Sequence, residues 1–326
     1  MKKQALADTI VKHSEKVPEA LSGLRLDQVL AKLFPEYSRA KLQNWVQNQK
    51  VTVDGQHKKN RDKVAAGEAI AIEAELEKIA TWSAQAIELA IVYEDDDILI
   101  INKPVGLVVH PGAGNREGTL VNALLHYYPP LDQLPRAGLV HRLDKDTSGL
   151  LIVAKTMLAH TRLVRMIQKR QIAREYTAIV AGNLIAGGTI DQPIGRHPRQ
   201  RTKMAVIETG KTAITHYRVL ERFRGYTLLK VILDTGRTHQ IRVHMAWLHY
   251  PLVGDSLYGW RLRLPPRAGS ELVLALQSFK KQALHATRLG LEHPVTREKL
   301  KWEVPLPDEM QHLISLLSQD RGTHHD

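Results

Sequence analysis

The sequence predicts an α+β protein in two parts, a large domain on a mixed, largely antiparallel sheet and a small α/β module ahead of it. Three observations carry this. At 326 residues the chain has room for two domains of ~150 residues and a sizeable buried core. From residue 91 onward, short strand-like runs and helical stretches alternate irregularly, which fits an α+β sheet better than a doubly wound parallel one. Before that, a helix-helix-hairpin pattern closes on itself.

In that pattern, LRLDQVLAKL at 24–33 places Leu24, Leu26, Val29, Leu30 and Leu33 on one helical face. Ser38 caps a second helix running from Arg39 toward Gln49. KVTVDGQ alternates Val51 and Val53 before an Asp54-Gly55 turn, and AIAIEAE supplies the closing strand. The first domain is expected at 15–76, a linker at 77–90 and the second domain at 91–326. In the second, Asp95 to Asp97 read as a solvated turn before the strand-like run Ile98 to Ile101 rather than as a metal site. Strands follow at Leu150 to Val153, Tyr176 to Val180 and Leu228 to Leu233, with helices at Ala159 to Lys169 and Glu309 to Leu317. No period of 20 to 50 residues repeats, which excludes solenoids.

Composition narrows the function classes. No apolar stretch is long enough to span a bilayer. The first twenty residues meet Asp8, Lys12, His13 and Glu15 before any leader-like apolar run forms, so a cytoplasmic protein is expected. The chain has no cysteine, which excludes disulfides, thiolate metal sites and a cysteine nucleophile. The net charge of +12 points to a polyanionic partner, and it is uneven: residues 1–75 carry +3 and residues 155–224 carry +10.

The densest chemistry lies at Val140 to Leu151, VHRLDKDTSGLL. Three readings of it compete. Asp144-x-Asp146 followed by Thr147 and Ser148 has the spacing of a phosphotransfer aspartate site, but His141 and Arg142 interrupt the strand that should lead into it, and the later Gly254-Asp255 lacks a second acid for Mg²⁺. Arg142, Asp144 and Thr147 also suit a structural network, since buried charges are usually paired. The third reading is a catalytic aspartate held by arginine, and TGRTHQIRVH at 235–244 gives it partners. Read as a strand, that segment puts Gln240, Arg242 and His244 on a cleft-facing side and Ile241 and Val243 on a buried one. His110, His141, His239 and His244 show no zinc-ligand spacing.

Taken together, INKPVGLVVHPG, HRLDKDTSGLL, REYTAIVAG, TGRTHQIRVHMAWLHYPLVGDSLYG and QALHA resemble the ordered motifs of the RsuA/RluA family of pseudouridine synthases, from about Val92 to Ala286. The N-terminal module, with Arg25 entering its first helix, Ser38-Arg39 at the second and a V-x-V-x-G hairpin, resembles the S4 RNA-binding domain. The likeness extends over nearly the whole chain, and within the family it points to the enzymes of the large ribosomal subunit.

The resemblance implies an isomerase that converts uridines of 23S ribosomal RNA, in the helix 69 stem-loop, to pseudouridine without metal or organic cofactor. It makes Asp144 the catalytic aspartate, Arg242 the guanidinium that keeps it ionised, and Tyr176 the residue stacking on the target base. Arg142, Thr147, Lys103 and Pro104 take supporting roles. A uridine in a structured loop must be turned out before its base can be reached, which calls for aromatic stacking and a positive rim. RHPRQRTKM at 196–204 reads as a mobile loop gripping the RNA backbone through Arg196, Arg199, Arg201 and Lys203, beside a helix bearing Arg162, Arg165, Lys169 and Arg170. Arg25, Arg39, Lys41, His239 and Gln240 are the other expected RNA contacts. The partner is 23S rRNA or the assembling large subunit, and a monomer is expected. The rival class is a non-catalytic ribosome-assembly factor on the same fold, which has no need of a carboxylate facing a polyanion.

Overall fold

The computed structural model describes residues 10–37, 39–75, 82–112, 114–200 and 202–323. Ser38, expected as a helix cap, lies outside the described residues. The first unit runs β1 (Ile10–Lys16), α1 (Leu26–Leu33), α2 (Arg39–Gln47), β2 (Val51–Val53) and β3 (Ala69–Glu75), with β3 between β1 and β2 in an antiparallel sheet. Leu26, Val29 and Leu30 of α1, Leu42, Trp45 and Val46 of α2, and Val51, Val53, Ile70 and Ile72 of the strands share one core. β1 starts ahead of residue 15. Its sequence, IVKHSEK, has too little apolar alternation to show as a strand, and its partner β3 lies far along the chain.

The second unit begins with β4 (Ile91–Glu94), β5 (Ile98–Lys103), α3 (Leu120–Tyr127), β6 (Ser148–Ala154), α4 (Met157–Gln168) and β7 (Ala173–Ala181). It continues with β8 (Gly188–Asp191), β9 (Ile194–Arg196), β10 (Met204–Val206), β11 (Ile214–Phe223), β12 (Tyr226–Leu233) and α5 (Gln240–Trp247). It ends with α6 (Ser270–Ser278), β13 (Leu284–Glu292), β14 (Lys299–Glu303) and α7 (Asp308–Thr323). Nine strands form one sheet in the order β4-β5-β6-β13-β7-β12-β11-β8, with β14 paired to β13. β6 and β13 run parallel, and the other pairs of the sheet are antiparallel. The mixed, largely antiparallel α+β sheet expected from the sequence is the one found. At the parallel junction Gly149 has φ 107°, and a Cβ there would lie 2.3 Å from the carbonyl oxygen of Ala286, so only glycine lets β6 approach β13.

Strand alternation divides the central sheet between two cores. Ile98, Ile100, Leu150 and Ile152 face α4 with Ala159 and Leu163. Their neighbours Leu99, Ile101, Leu151 and Val153 face Leu120 and Leu124 of α3, in a cluster that continues through Tyr176, Val231, Ile241 and Met245. Further along the first face, Ile179 and Tyr226 pack with residues of α6 and α7. The runs buried on both sides, such as SGLLIVA of β6, read as unbroken apolar sequence for that reason. The face carrying α3 and α5 holds the cleft.

One expected element is corrected. Gln240 to His244 form a helix, not a strand. Five residues of polar-apolar alternation do not separate the two, and every residue from Gln240 to Met245 is buried, so polarity there marks specific partners instead of a solvent face. In a helix, positions four apart share a side: Gln240 and His244 both reach Thr215 Oγ1, each at 2.9 Å, while Arg242 turns the other way toward Asp144. Among the described residues no helix is long and apolar enough to cross a membrane.

Candidate active site

A cleft of about 890 Å³ opens on the α5 side of the sheet, lined by His110, Arg142, Asp144, Thr147, Arg174, Tyr176, Arg237, His239 and Arg242 among others. Asp144 sits in the turn leading into β6, a turn closed by the Thr147 N–H donating to the Asp144 carbonyl at 3.1 Å. Its side chain keeps 14% of its surface exposed. Arg242 donates from Nη1 to Asp144 Oδ2 at 3.1 Å. Tyr176, on β7, is 6% exposed and borders the same cleft. The three residues expected to act together, far apart in sequence, therefore meet in one cavity.

Arg242 is held from behind by a residue the sequence reading set aside. Its Nε and Nη2 donate to Asp255 Oδ2 and Oδ1 at 2.7 and 2.9 Å, a two-pronged pairing that fixes the guanidinium plane. Burial works against the charge on Arg242, but the carboxylates of Asp255 and Asp144 outweigh it and hold its pKa above the ordinary arginine value. The Tyr258 ring lies 4.9 Å from the Arg242 guanidinium carbon. In the sequence Gly254-Asp255 reads only as half of a metal site; its role shows in the packed chain, where a buried acid meets a buried arginine.

His239, expected at the RNA, lines the cleft and borders Asp144. Its Nε2 is 3.8 Å from Asp144 Oδ1 and its Nδ1 is 2.6 Å from the Tyr258 hydroxyl, which also accepts the Met204 N–H at 2.9 Å. Burial lowers the His239 pKa, partly offset by the Asp144 charge. The residue has φ 57°, an uncommon left-handed conformation for a non-glycine at a helix entry. Gln240 is corrected as an RNA contact. Its Oε1 accepts from Thr235 Oγ1 and the Arg237 N–H, and its Nε2 donates to the Ile214 carbonyl and Thr215 Oγ1, which spends its whole hydrogen-bonding capacity inside the protein.

The supporting residues divide. Arg142 is exposed at the cleft wall. Thr147 is buried and accepts from Gln282 Nε2 at 3.1 Å. Lys103 does not line the cleft: fully buried, it donates to the carbonyls of Pro104, Leu107 and Lys145 at 2.7, 2.9 and 2.9 Å, tying the Pro104 loop to the loop after Asp144. Burial pushes its pKa down to about 8. His141 accepts the Ile152 N–H at Nε2 and is pushed down to about 3, first by burial and then by the Arg174 charge. Burial raises the Tyr176 pKa, Arg174 opposes this and Asp144 adds to it, so the phenol stays protonated.

The basic segment at 196–204 joins two paired strands. β9 and β10 pair as a two-stranded hairpin, and the described residues between them are tied by Arg199 and Gln200 N–H groups to His197 Nδ1 and by the His197 N–H to the Lys203 carbonyl. Arg196 and Arg199 are exposed, Lys203 is half-buried, and Arg201 lies outside the described residues. Of the four cations expected beside it, only Arg170 lines the cleft; Arg162 instead donates to the Pro294 carbonyl at 2.7 Å. In the small unit, Arg25 and Arg39 converge on Asp27, a fully buried carboxylate not singled out in the sequence, at 3.1 and 2.7 Å, with half of each guanidinium side chain still exposed. Lys41 lies over the rings of Tyr37 and Trp45.

Comparison with known proteins identifies the family. The family model described as RNA pseudouridylate synthase matches residues 97–247, and the S4 domain model matches residues 24–70. The chain is 56% identical over 312 residues to a Pseudomonas aeruginosa protein named ribosomal large subunit pseudouridine synthase D, covering 96% of this chain and 98% of the relative. It is 54% identical over 311 residues to the Escherichia coli K12 protein of that name, covering 95% of each. Among solved structures, human RNA pseudouridylate synthase domain containing 4 aligns with a TM-score of 0.55 at 26% identity, over 70% of this chain and 93% of that one. Human RNA pseudouridylate synthase domain containing 1 aligns at 0.51 and 27%, over 72% and 96%. With an aspartate, a tyrosine and an arginine gathered in the cleft of a matching fold, the chain belongs to the RNA pseudouridine synthase family of the RsuA/RluA type, and it carries an S4 domain ahead of the synthase domain.

Proposed function

We propose that this enzyme isomerises uridines in the helix 69 stem-loop of 23S ribosomal RNA, with Asp144 as the catalytic carboxylate. The observation that carries the proposal is the 3.1 Å contact between Arg242 Nη1 and Asp144 Oδ2 in a cleft bordered by Tyr176. Isomerisation breaks the N1–C1′ bond, turns the uracil while it stays bound, and forms a C5–C1′ bond; C5 then loses its proton and N1 gains one. Whether the carboxylate attacks the sugar, attacks the base or takes a proton, it must be ionised, and a guanidinium within hydrogen-bond reach favours that form. Arg242 supplies it while Asp255 keeps it in place.

Tyr176 offers a protonated phenol and an aromatic face for a flipped base, and the cleft wall adds the Arg142 and Arg237 cations. The names of the close relatives support large-subunit rRNA as the substrate class, and the S4 domain supports RNA binding beyond the cleft. Lys103 and Pro104 act beneath the site by bracing the loop that carries Asp144. The enzyme works as a cytoplasmic monomer on this RNA or on the assembling subunit, with no metal in the reaction.

An Asp144→Asn protein tests the assignment. It retains stem-loop binding and loses release of the C5 hydrogen by ~10³-fold or more, equivalent to about 4 kcal/mol of barrier. Unchanged release would remove Asp144 from the role, and release by the unsubstituted enzyme confined to uridines elsewhere in the rRNA would remove helix 69.

A further inference from the structure

We propose that Arg174 forms a phosphate subsite at the back of the cleft, receiving a phosphodiester that flanks the flipped uridine. Arg174 alternates with Tyr176 on β7, and both fall on the buried side that borders the cavity. It is 6% exposed. Among the described residues its one hydrogen bond runs from Nη2 to the Leu233 carbonyl at 3.4 Å, its Nε is buried without a partner, and it forms no ion pair. Among the described residues the other buried lysine and arginine are compensated: Arg242 has two carboxylates, and Lys103 has three carbonyls. A guanidinium does not lose its proton, so one buried with a single long hydrogen bond to a neutral carbonyl is costly until an anion docks on it.

The surroundings are shaped for that group. A Cβ at Gly236 would lie 2.8 Å from Arg174 Nη1, with no other atom within that distance, and Gly236 itself lines the cleft. A side chain there would push the guanidinium out of its present position. His141 borders the same wall as a neutral ring whose Nε2 is taken by the Ile152 N–H, which leaves its proton on Nδ1. A phosphodiester bears a full charge and presents two oxygens to the planar fork of an arginine, whereas a uracil carbonyl offers no charge to compensate it. With Tyr176 two residues away on the same strand, the base and an adjoining phosphate lie within one nucleotide's reach.

This inference rests on the reading that a uridine enters the cleft, and its test separates the two. Stem-loop RNAs carrying an uncharged methylphosphonate at one linkage on either side of the target uridine are compared on wild-type and Arg174→Gln enzyme. The expected result is that one neutral linkage raises the wild-type KM about tenfold, that Arg174→Gln raises it similarly with all-phosphate RNA, and that the two together cost no more than either alone. Arg174→Lys, which keeps the charge, recovers part of the loss. If the losses multiply at both linkages, or if Arg174→Gln matches wild type, the subsite is overturned. The same comparison of Kd values in an Asp144→Asn background reads the subsite without turnover, so a wrong catalytic assignment and a wrong subsite give different results.

Discussion

Arg242 is shared between two carboxylates that do different work. Asp255 occupies Nε and Nη2 and Asp144 meets only Nη1, so the first sets the plane of the guanidinium and the second receives its charge. An Asp255→Asn enzyme keeps the shape and loses one arm of the pairing. It is expected to lose about 10²-fold in kcat with little change in KM, since a small misplacement of a reacting group is costly at that scale; steady-state kinetics read the split, and a loss confined to KM would contradict it. Two deeply placed histidines make a second residue-scale prediction. Burial pushes His141 to about 3 and His285 to about 4, below the ~6.5 of an unfolded chain. The unfolded state therefore binds protons first as pH falls, so their contribution is complete above about pH 6.5 and is lost progressively toward pH 4 for His285 and pH 3 for His141. Melting temperature is expected to fall over that window, and His285→Gln to flatten the slope.

The hairpin of β9 and β10 and the helix α5 act as a coupled pair of elements. The Met204 N–H at the start of β10 donates to the Tyr258 hydroxyl, which stands 2.6 Å from His239 Nδ1 at the entry to α5. The exposed arginines of the hairpin are thus tied, through two hydrogen bonds, to the edge of the catalytic cluster. If Arg196 and Arg199 each neutralise one phosphate, replacing both by Gln lowers the slope of log affinity against log salt by about 1.4 to 1.8. Titrations at several salt concentrations measure it, and an unchanged slope would take the hairpin off the RNA backbone.

The whole molecule rests on separate cores. Leu30 and its neighbours form the N-terminal cluster alone, while the large sheet has its own clusters on both faces. Among the described residues the units meet where Thr161 Oγ1 donates to the Glu36 carbonyl at 2.9 Å and Met157 packs on the small core. Leu30→Ala is therefore expected to cost about 2–5 kcal/mol in the first unit alone. Calorimetry should show one transition shifted down and the other unmoved; a joint shift would mean that the units unfold as one.

Sequence alone determined the class of the fold, the two-part order of the chain and the segment holding Asp144, because unbroken apolar runs, helical periodicity and dense polar motifs are local signals. It also marked Tyr176 and Arg242, through motif likeness and not through any spacing that puts them together. What only the tertiary structure decided was which side chains share space. The helix at Gln240 to Trp247 was hidden because its polar residues are satisfied by Thr215, Gln192, Asp144 and Asp255 from other parts of the chain. β1 was hidden because a mostly polar strand is stabilised by its pairing with β3. Asp255, Asp27 and Arg174 gained meaning only from burial beside, or without, an opposite charge, and burial is a property of the packed chain that no stretch of sequence carries by itself.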